Sequence, residues 1–244
     1  MKIEVLYPEI CKLYGEGGNL TYMQASLDSC EIIETNLNDS PAFIEGEVDL
    51  VYMGTMTENS QKLAIDKLST YTDKIKKSIE KGQHFLVTGN AVEIFGKEII
   101  DKDMQLVENG KDRVKGLGIF DYHTERYMMH RFNCLYVGKY EDLDVVGYKS
   151  QFSYSFYDKE IEPLFITSRG KGFNPQTEKE GIHYKNFMGT YVIGPLLILN
   201  PDFMKRIMCE IGQENVKPAF YEEAEDAYRA RLKEYNDPDT GLYY

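Results

Sequence analysis

The sequence predicts an α/β fold with a central, mostly parallel sheet and a mixed or antiparallel extension. Two observations lead to this prediction. In the first part of the chain, short apolar runs alternate with segments of helical spacing, an order typical of parallel βαβ units. In the middle of the chain, short β-rich runs follow one another with turn residues between them, which is typical of hairpins.

The parallel part is predicted from four apolar runs and two helical segments. The predicted strands cover 2–6, 31–37, 48–53 and 85–87. A first helix is predicted at 20–27, where the side chain of Asn19 can satisfy free N–H groups as an N-cap. A second helix is predicted at 58–81, because its apolar residues recur at helical spacing and Gly82 follows as a C-cap.

The later part of the chain is predicted to extend the sheet and to end in helices. The predicted strands of the extension cover 127–140, 143–148, 151–157 and 163–167. An apolar, strand-like run at 191–199 is interrupted by Gly194-Pro195, and helices are predicted at 201–212 and 219–235. We therefore predict one α/β domain at 1–212, with a C-terminal helix and tail at 213–244 packed on it or extending from it.

Composition argues against several classes of function. The formal charge is -12, from 40 Asp and Glu against 28 Lys and Arg, so no basic surface remains for a nucleic acid or an anionic membrane. The four cysteines lie far apart without metal-binding spacing, and we expect no metal and no cofactor. No apolar run approaches the ~18 residues of a membrane span, and a cytoplasmic location is expected.

The most informative segment is a strand–turn–helix pattern at 84–96. In many α/β hydrolytic enzymes, a turn of this kind carries the nucleophile. The apolar strand leads here to Gly89, and a helix is predicted to begin after it. Because glycine has no side chain, the apex of this turn cannot attack a substrate.

Several short motifs occur in order along the chain. They are LYP at 6–8, LYG at 13–15, GN at 18–19, GLGIFD at 116–121, TE at 124–125, GKGFN at 170–174, EG at 180–181, GTYVIGPLL at 189–197 and NP at 200–201. In this order and spacing they resemble the cobyric-acid-synthase-like class I glutamine amidotransferases. Within that family the sequence is most similar to the glutaminase subunit of lipid II isoglutaminyl synthase.

The resemblance implies a flavodoxin-like or Rossmann-like fold and a known chemistry. In this family a cysteine at the turn attacks the side-chain amide of glutamine, and a histidine near the last sheet strand acts as the base. Backbone N–H groups form an oxyanion hole, and the released ammonia passes to a partner. For lipid II amidation in peptidoglycan synthesis, the resemblance implies a Mur-ligase-like, ATP-dependent synthetase as that partner.

The chain departs from the family pattern at both catalytic positions. Gly89 occupies the nucleophile position, so no thiolate is available to form a thioester. Ile193 occupies the base position and has no atom that accepts a proton. We therefore expect no catalytic residue at either vestigial position, and we expect that Gly89→Cys alone restores no activity.

The strip that forms the oxyanion hole in the family departs from the pattern as well. The glycine-rich oxyanion strip is replaced by GTMTE at 54–58, which introduces a bulky methionine. Gly54, Thr55 and Asn90 are expected to form a vestigial oxyanion and substrate pocket. Arg126 matches the position of an arginine that binds glutamine in the family.

Three functions remain open. The first is a non-catalytic subunit or scaffold, and the second is an enzyme that uses displaced residues such as Cys11, near the N-terminal loop, or His183. The third is a small-molecule sensor that uses the vestigial pocket. Both homo-oligomers and hetero-oligomers are compatible with the sequence. The combined changes at one site favour the first function, that of a pseudoenzyme.

Overall fold

A computed structural model describes residues 1–103 and 112–241 of the chain. In chain order, the strands of the described part are β1 (Lys2–Leu6), β2 (Glu31–Thr35), β3 (Leu50–Met53), β4 (His84–Thr88), β5 (Glu98–Asp101), β6 (Arg113–Lys115), β7 (Tyr122–Arg126), β8 (Phe132–Tyr140), β9 (Leu143–Gln151), β10 (Ser153–Tyr157), β11 (Phe165–Arg169), β12 (Lys179–Glu180), β13 (Ile182–Tyr184) and β14 (Phe187–Thr190). The helices are α1 (Gly17–Ser26), α2 (Glu58–Ser69), α3 (Thr72–Glu80), α4 (Leu196–Leu199), α5 (Pro201–Glu210) and α6 (Tyr221–Asn236). Short 3-10 segments cover Leu13–Gly15, Ala42–Ile44 and Gly89–Phe95.

The central sheet has six strands in the order β13-β14-β4-β3-β1-β2. All neighbouring pairs are parallel except β13 and β14, which form an antiparallel edge. Because β14 and β4 are in register, Thr190 lies opposite Thr88 at the carboxyl end of the sheet. The predicted α/β class with a mostly parallel sheet and antiparallel parts is confirmed.

The core lies on both faces of this sheet. Every residue of β3 is buried, which is typical of a parallel strand covered on both sides. Val51 and Met53 belong to the cluster on one face, while Leu50 and Tyr52 belong to the cluster on the other. This alternation follows from the two-residue period of a strand.

The extension consists of two smaller sheets. One has the order β10-β7-β5-β6 and combines antiparallel pairs with a parallel β5–β7 pair. The other is antiparallel, with the order β12-β11-β8-β9. Both sheets are formed by residues from the middle of the sequence, where hairpins were predicted.

Several local predictions differ from the structure. The predicted helix at 58–81 is two helices, α2 and α3, because the chain turns at Thr70 and Tyr71. Asn19 lies within α1 rather than before it, and the strand-like run at 191–199 ends in the short helix α4. Proline has no N–H to donate to a ladder, which explains why no strand continues through Pro195.

The chain beyond residue 212 contains α6, which lies against the antiparallel extension. Tyr228 Oη donates a hydrogen bond to the carbonyl of Asp144 at 2.8 Å. The guanidinium of Arg169 donates to the carbonyls of Tyr235, Asp237 and Thr240 and so holds the end of the helix. Within the described ranges, none of the helices has the length and apolar character needed to cross a bilayer.

Candidate functional site

The predicted turn follows β4 at the carboxyl edge of the parallel sheet, where α/β proteins place their ligand sites. Gly89 is buried and has φ of 61°, in the left-handed region that glycine adopts without steric cost. A 3-10 segment, Gly89–Phe95, follows in place of the predicted helix. The structure therefore keeps a sharp elbow at a position without a side chain.

The space beside Gly89 is filled by Thr55. A Cβ added at Gly89 would lie 2.9 Å from Thr55 Cβ and 3.0 Å from its Cγ2, with Thr55 Oγ1 closer still. Thr55 is 4% exposed, and its hydroxyl has no hydrogen-bond partner within the described part of the chain. The threonine thus occupies the place that a nucleophile side chain on this turn would need.

Asn90 joins the elbow to the strip that follows β3. Its Oδ1 accepts a hydrogen bond from Met56 N at 3.0 Å, and its Nδ2 donates to Met56 O at 2.8 Å. The N–H of Met56 is therefore already engaged. These two hydrogen bonds fasten the strip after β3 to the elbow.

A group of four polar side chains lies beneath the turn; we call Gln61, Asn90, Glu93 and Arg126 the elbow network. Gln61 Nε2 donates to Asn90 O at 2.7 Å and to Glu93 Oε2 at 2.9 Å. Arg126 Nη2 donates to Glu93 Oε2 at 3.0 Å and also to Gln61 Oε1. Arg126 is 3% exposed, and its Nε has no partner among the described residues.

Ile193 follows β14, the strand that pairs with β4, and its own backbone pairs with β9. Ile193 N donates to Tyr148 O at 3.0 Å, and Tyr148 N donates to Ile193 O at 3.1 Å. The side chain is 1% exposed and offers only carbon atoms. Gly194 then donates its N–H to Glu16 Oε1 at 3.4 Å, which links this segment to the N-terminal loop.

Glu16 is a buried acid next to the elbow. Its Oε2 accepts hydrogen bonds from Thr88 Oγ1 and, at 3.3 Å, from Tyr52 Oη. Burial raises the pKa of Glu16 to about 7, and the hydrogen bonds from Thr88, Gly194 and Tyr52 partly oppose that shift. The carboxyl is therefore held with much of its population protonated at neutral pH.

A cavity of about 130 Å³ lies beside the elbow. We call it the elbow cavity; it is lined by Leu13, Tyr14, Thr55, Met56, Thr57, Glu58, Asn90, Arg131, Ser150, Gln151, Phe152 and Ser153. It brings together Thr55 and Asn90 of the predicted pocket. Gly54 and Arg126 do not line it, since Gly54 faces Cys11 O and Glu16 and Arg126 is engaged by Gln61 and Glu93.

The two displaced candidates, Cys11 and His183, lie outside the elbow cavity. Cys11 is 5% exposed, not at the surface, and burial raises its thiol pKa far above the ordinary value. His183 lies on β13, opposite Met188, and β13 is separated from β4 by β14. Two strand spacings amount to about 10 Å, so His183 is remote from Gly89.

A second and larger space lies at the other end of the sheet. This open groove of about 760 Å³ runs between α3 and the chain before β3, at the amino ends of β3 and β4. Ligands of open α/β sheets bind at the carboxyl ends of the strands, so the smaller elbow cavity is the better candidate site. Within the described ranges, no three His, Cys, Asp or Glu side chains form a group suited to a metal ion.

The architecture is that of a glutamine amidotransferase. A crystal structure described as a glutamine amidotransferase matches this fold with a TM-score of 0.54 and 12% identity, covering 86% of this chain and 98% of that one. Residues 2–200 match the CobB/CobQ-like glutamine amidotransferase domain. The chain belongs to this family.

Two curated proteins are similar to this chain. One is the glutamine-hydrolysing lipid II isoglutaminyl synthase subunit GatD of Staphylococcus aureus strain N315, which is 28% identical over 203 positions, 81% of this chain and 80% of that protein. The other is the subunit of the same name from Streptococcus pneumoniae strain R6, which is 26% identical over 249 positions, 97% of this chain and 91% of that protein. The expected resemblance to this group is confirmed.

Sequence reasoning missed the roles of Glu16, Gln61 and Glu93. Glu16 belongs to a glycine-rich turn that reads as an exposed loop, and Gln61 belongs to a helix with mostly polar neighbours. All three side chains are fully buried. One sequence signal could have pointed to Glu93. It lies four residues after Gly89, within the segment that follows the strand.

Proposed function

We propose that this chain is a non-catalytic glutamine amidotransferase-like subunit, a pseudoenzyme that does not hydrolyse glutamine. The observation that carries this proposal is the packing of Thr55 against Gly89. A glycine that had only lost its cysteine would leave an empty space, whereas here a threonine side chain fills it. The two hydrogen bonds between Met56 and Asn90 support the same conclusion, because they engage the backbone N–H of Met56 in the oxyanion strip.

The base position supports the proposal independently. Ile193 is buried, and it has no group that could take a proton from a thiol. Catalysis by a displaced cysteine is not favoured, because the thiol of Cys11 is buried and its pKa is raised. An enzyme acting through His183 is also not favoured, since that residue lies two strands away from the elbow.

The proposed setting is cytoplasmic cell-wall amidation. The two relatives are named as subunits of lipid II isoglutaminyl synthase, so we propose that this chain also associates with a synthetase. The proposed partner is a Mur-ligase-like, ATP-dependent enzyme, and the chain would act there as a scaffold. Co-purification of the two proteins tests this part, and a failure to associate at micromolar concentrations would contradict it.

The test of the proposal is ammonia release from glutamine. The purified chain is assayed alone and with the synthetase, and the S. aureus subunit serves as a positive control. We expect no release above background and no labelling of any cysteine by a thiol-trapping glutamine analogue. Turnover, or labelling at Cys11 or another cysteine, would overturn the proposal.

A variant series tests whether the changes are coupled. We expect Gly89→Cys alone to be inactive, because its side chain would collide with Thr55 and because no base stands at Ile193. The triple variant Gly89→Cys, Thr55→Gly, Ile193→His removes both obstacles and is the matched comparison. Robust turnover by the single variant would refute the coupling.

A further inference from the structure

The open groove of about 760 Å³ at the amino ends of β3 and β4 lies at the opposite end of the sheet from the elbow; we call it the amino-end groove. The apolar residues that line it are buried or half-buried and form its floor: Phe43, Ile44, Val48 and Ile211. One wall is formed by α3 and the residue after it, and the other by the chain that precedes β3. The charges on these two walls can therefore be compared.

The two walls of the amino-end groove carry opposite charges. The lysine wall consists of Lys74, Lys77 and Lys81, and the acid wall consists of Glu45, Glu47 and Asp49. All six residues are exposed, and none of them forms an ion pair with another residue of the described ranges. Asp49 does accept a hydrogen bond from the backbone N–H of Lys2 at 2.6 Å. The charges of both walls are thus free to meet those of another molecule.

The amino-end groove differs in charge balance from the chain as a whole. The formal charge of the chain is -12, so two copies repel one another when most of their surfaces approach. The groove instead has as many lysines as acidic residues along its walls. Two copies can therefore meet at this face without local charge repulsion.

A two-fold axis would pair the two walls with each other. In a two-fold dimer, one surface patch faces a rotated copy of itself. When the axis runs along the groove, the lysine wall of each copy faces the acid wall of the other. An axis across the groove would place lysine against lysine and acid against acid, which is unfavourable. The charges thus select one orientation as well as one face.

We infer that the amino-end groove is the interface of a homodimer, in which a second copy of this chain binds about a two-fold axis that runs along the groove. The dimer is weak, because exposed ion pairs each contribute little. It leaves the elbow side of both copies uncovered, since the groove and Gly89 lie at opposite ends of the sheet. The inference goes beyond the proposed function and does not depend on whether the chain hydrolyses glutamine.

The test is sedimentation equilibrium of the full chain and of two variants in which one wall is reversed in charge. The lysine-wall variant is Lys74→Glu, Lys77→Glu, Lys81→Glu, and the acid-wall variant is Glu45→Lys, Glu47→Lys, Asp49→Lys. We expect the wild type to dimerise with Kd at or below about 100 µM. Each variant alone should dimerise at least about tenfold more weakly, because like charges then meet at both walls.

An equimolar mixture of the two variants is the decisive sample. One variant has acids on both walls and the other has lysines on both, so every wall meets its opposite in a mixed dimer. We expect the mixture to dimerise about as strongly as the wild type. A mixed dimer would also establish that both variants are folded.

The control separates the groove from the net charge of the chain. Lys62→Glu, Lys217→Glu, Lys233→Glu makes the same change in formal charge as the lysine-wall variant, at exposed lysines outside the amino-end groove. We expect this control to dimerise more strongly than the lysine-wall variant. If net charge alone governed association, the acid-wall variant would dimerise more strongly than the wild type, because its charge is less negative. The inference predicts the opposite.

Three outcomes would overturn the inference. The first is a wild-type chain that stays monomeric up to about 500 µM. The second is an acid-wall variant that dimerises as strongly as the wild type, which would place the interface elsewhere. The third is a mixture of the two variants that forms no mixed dimer. None of these outcomes bears on ammonia release, so the proposed function is judged separately.

Discussion

The two sides of the Gly89 elbow differ in how their buried polar groups are paired. On the side of the elbow network, Asn90, Glu93 and Gln61 have their polar atoms engaged by neighbouring groups. On the side of the elbow cavity, Thr55 Oγ1 and Gln151 Oε1 have no partner in the described chain. Arg126 Nε is the exception on the network side, since it too has no partner.

This difference indicates that internal hydrogen bonds fix the elbow on one side and not on the other. Polar groups that engage each other hold the turn in one arrangement. Unpaired groups around a cavity are usually satisfied by water or a ligand. The comparison therefore predicts that removing a paired group of the elbow network lowers stability, while removing the unpaired hydroxyl of Thr55 changes it little.

The largest change in stability is expected when the buried ion pair of the elbow network is broken. Arg126→Leu removes the cation and leaves Glu93 buried without its counter-charge. Breaking a buried pair in this way typically costs 3–5 kcal/mol, so we expect a loss of about 4 kcal/mol in the free energy of unfolding. Urea denaturation followed by circular dichroism measures this loss.

The matched control for this variant is Arg113→Leu. Arg113 also pairs with a glutamate, Glu98, but its side chain is 53% exposed. Solvent screens such a pair, and we expect little change in stability. Equal losses for the two variants would contradict the view that the elbow network holds the turn in place.

Glu16 should make the stability of the wild-type protein depend on pH. Its pKa is raised to about 7 in the folded chain, from an ordinary value of 4.5, because burial disfavours the charged form. The folded state then holds the proton more tightly than the unfolded state, so the favourable contribution is complete below pH 4.5. It is lost as the pH rises through about 7.

The measurement compares wild type with Glu16→Gln, which keeps the size of the side chain. Between pH 5 and pH 8, the unfolding free energy of wild type relative to the variant should fall by about 2–3 kcal/mol. Other titrating groups, including Glu4, are present in both proteins and cancel. A constant difference across this range would show that Glu16 titrates normally.

The sequence predicted the elbow but not what closes it. The turn at Gly89 follows from a local pattern, an apolar strand that ends at a residue without a side chain, and local patterns can be recognised without a structure. The parallel direction of these strands follows from the alternation of strand and helix patterns along the chain. The residues that form the turn lie within a few positions of one another along the chain.

The closing contacts depend on residues far apart in sequence. Thr55 and Gly89 meet because β3 and β4 are adjacent and in register, and Glu16 reaches Thr88 across the sheet. A glycine-rich turn around Glu16 gives no sign that the acid is buried. The break between α2 and α3 was also missed, since both helices continue one apolar pattern.

The smallest change in stability is expected at Thr55. Thr55 and Thr88 are both buried, but of the two hydroxyls only that of Thr88 has a hydrogen-bond partner in the described chain. Thr55→Val replaces a hydroxyl that has no partner, so the unfolding free energy should change by less than about 1 kcal/mol and can rise. Thr88→Val is the comparison, because it removes the donor to buried Glu16 and should cost about 1–3 kcal/mol. Urea denaturation of both variants at pH 8, where Glu16 is largely ionised, gives the sharpest contrast. A larger loss for Thr55→Val than for Thr88→Val would mean that the cavity side is paired after all, and the distinction between the two sides of the elbow would be wrong.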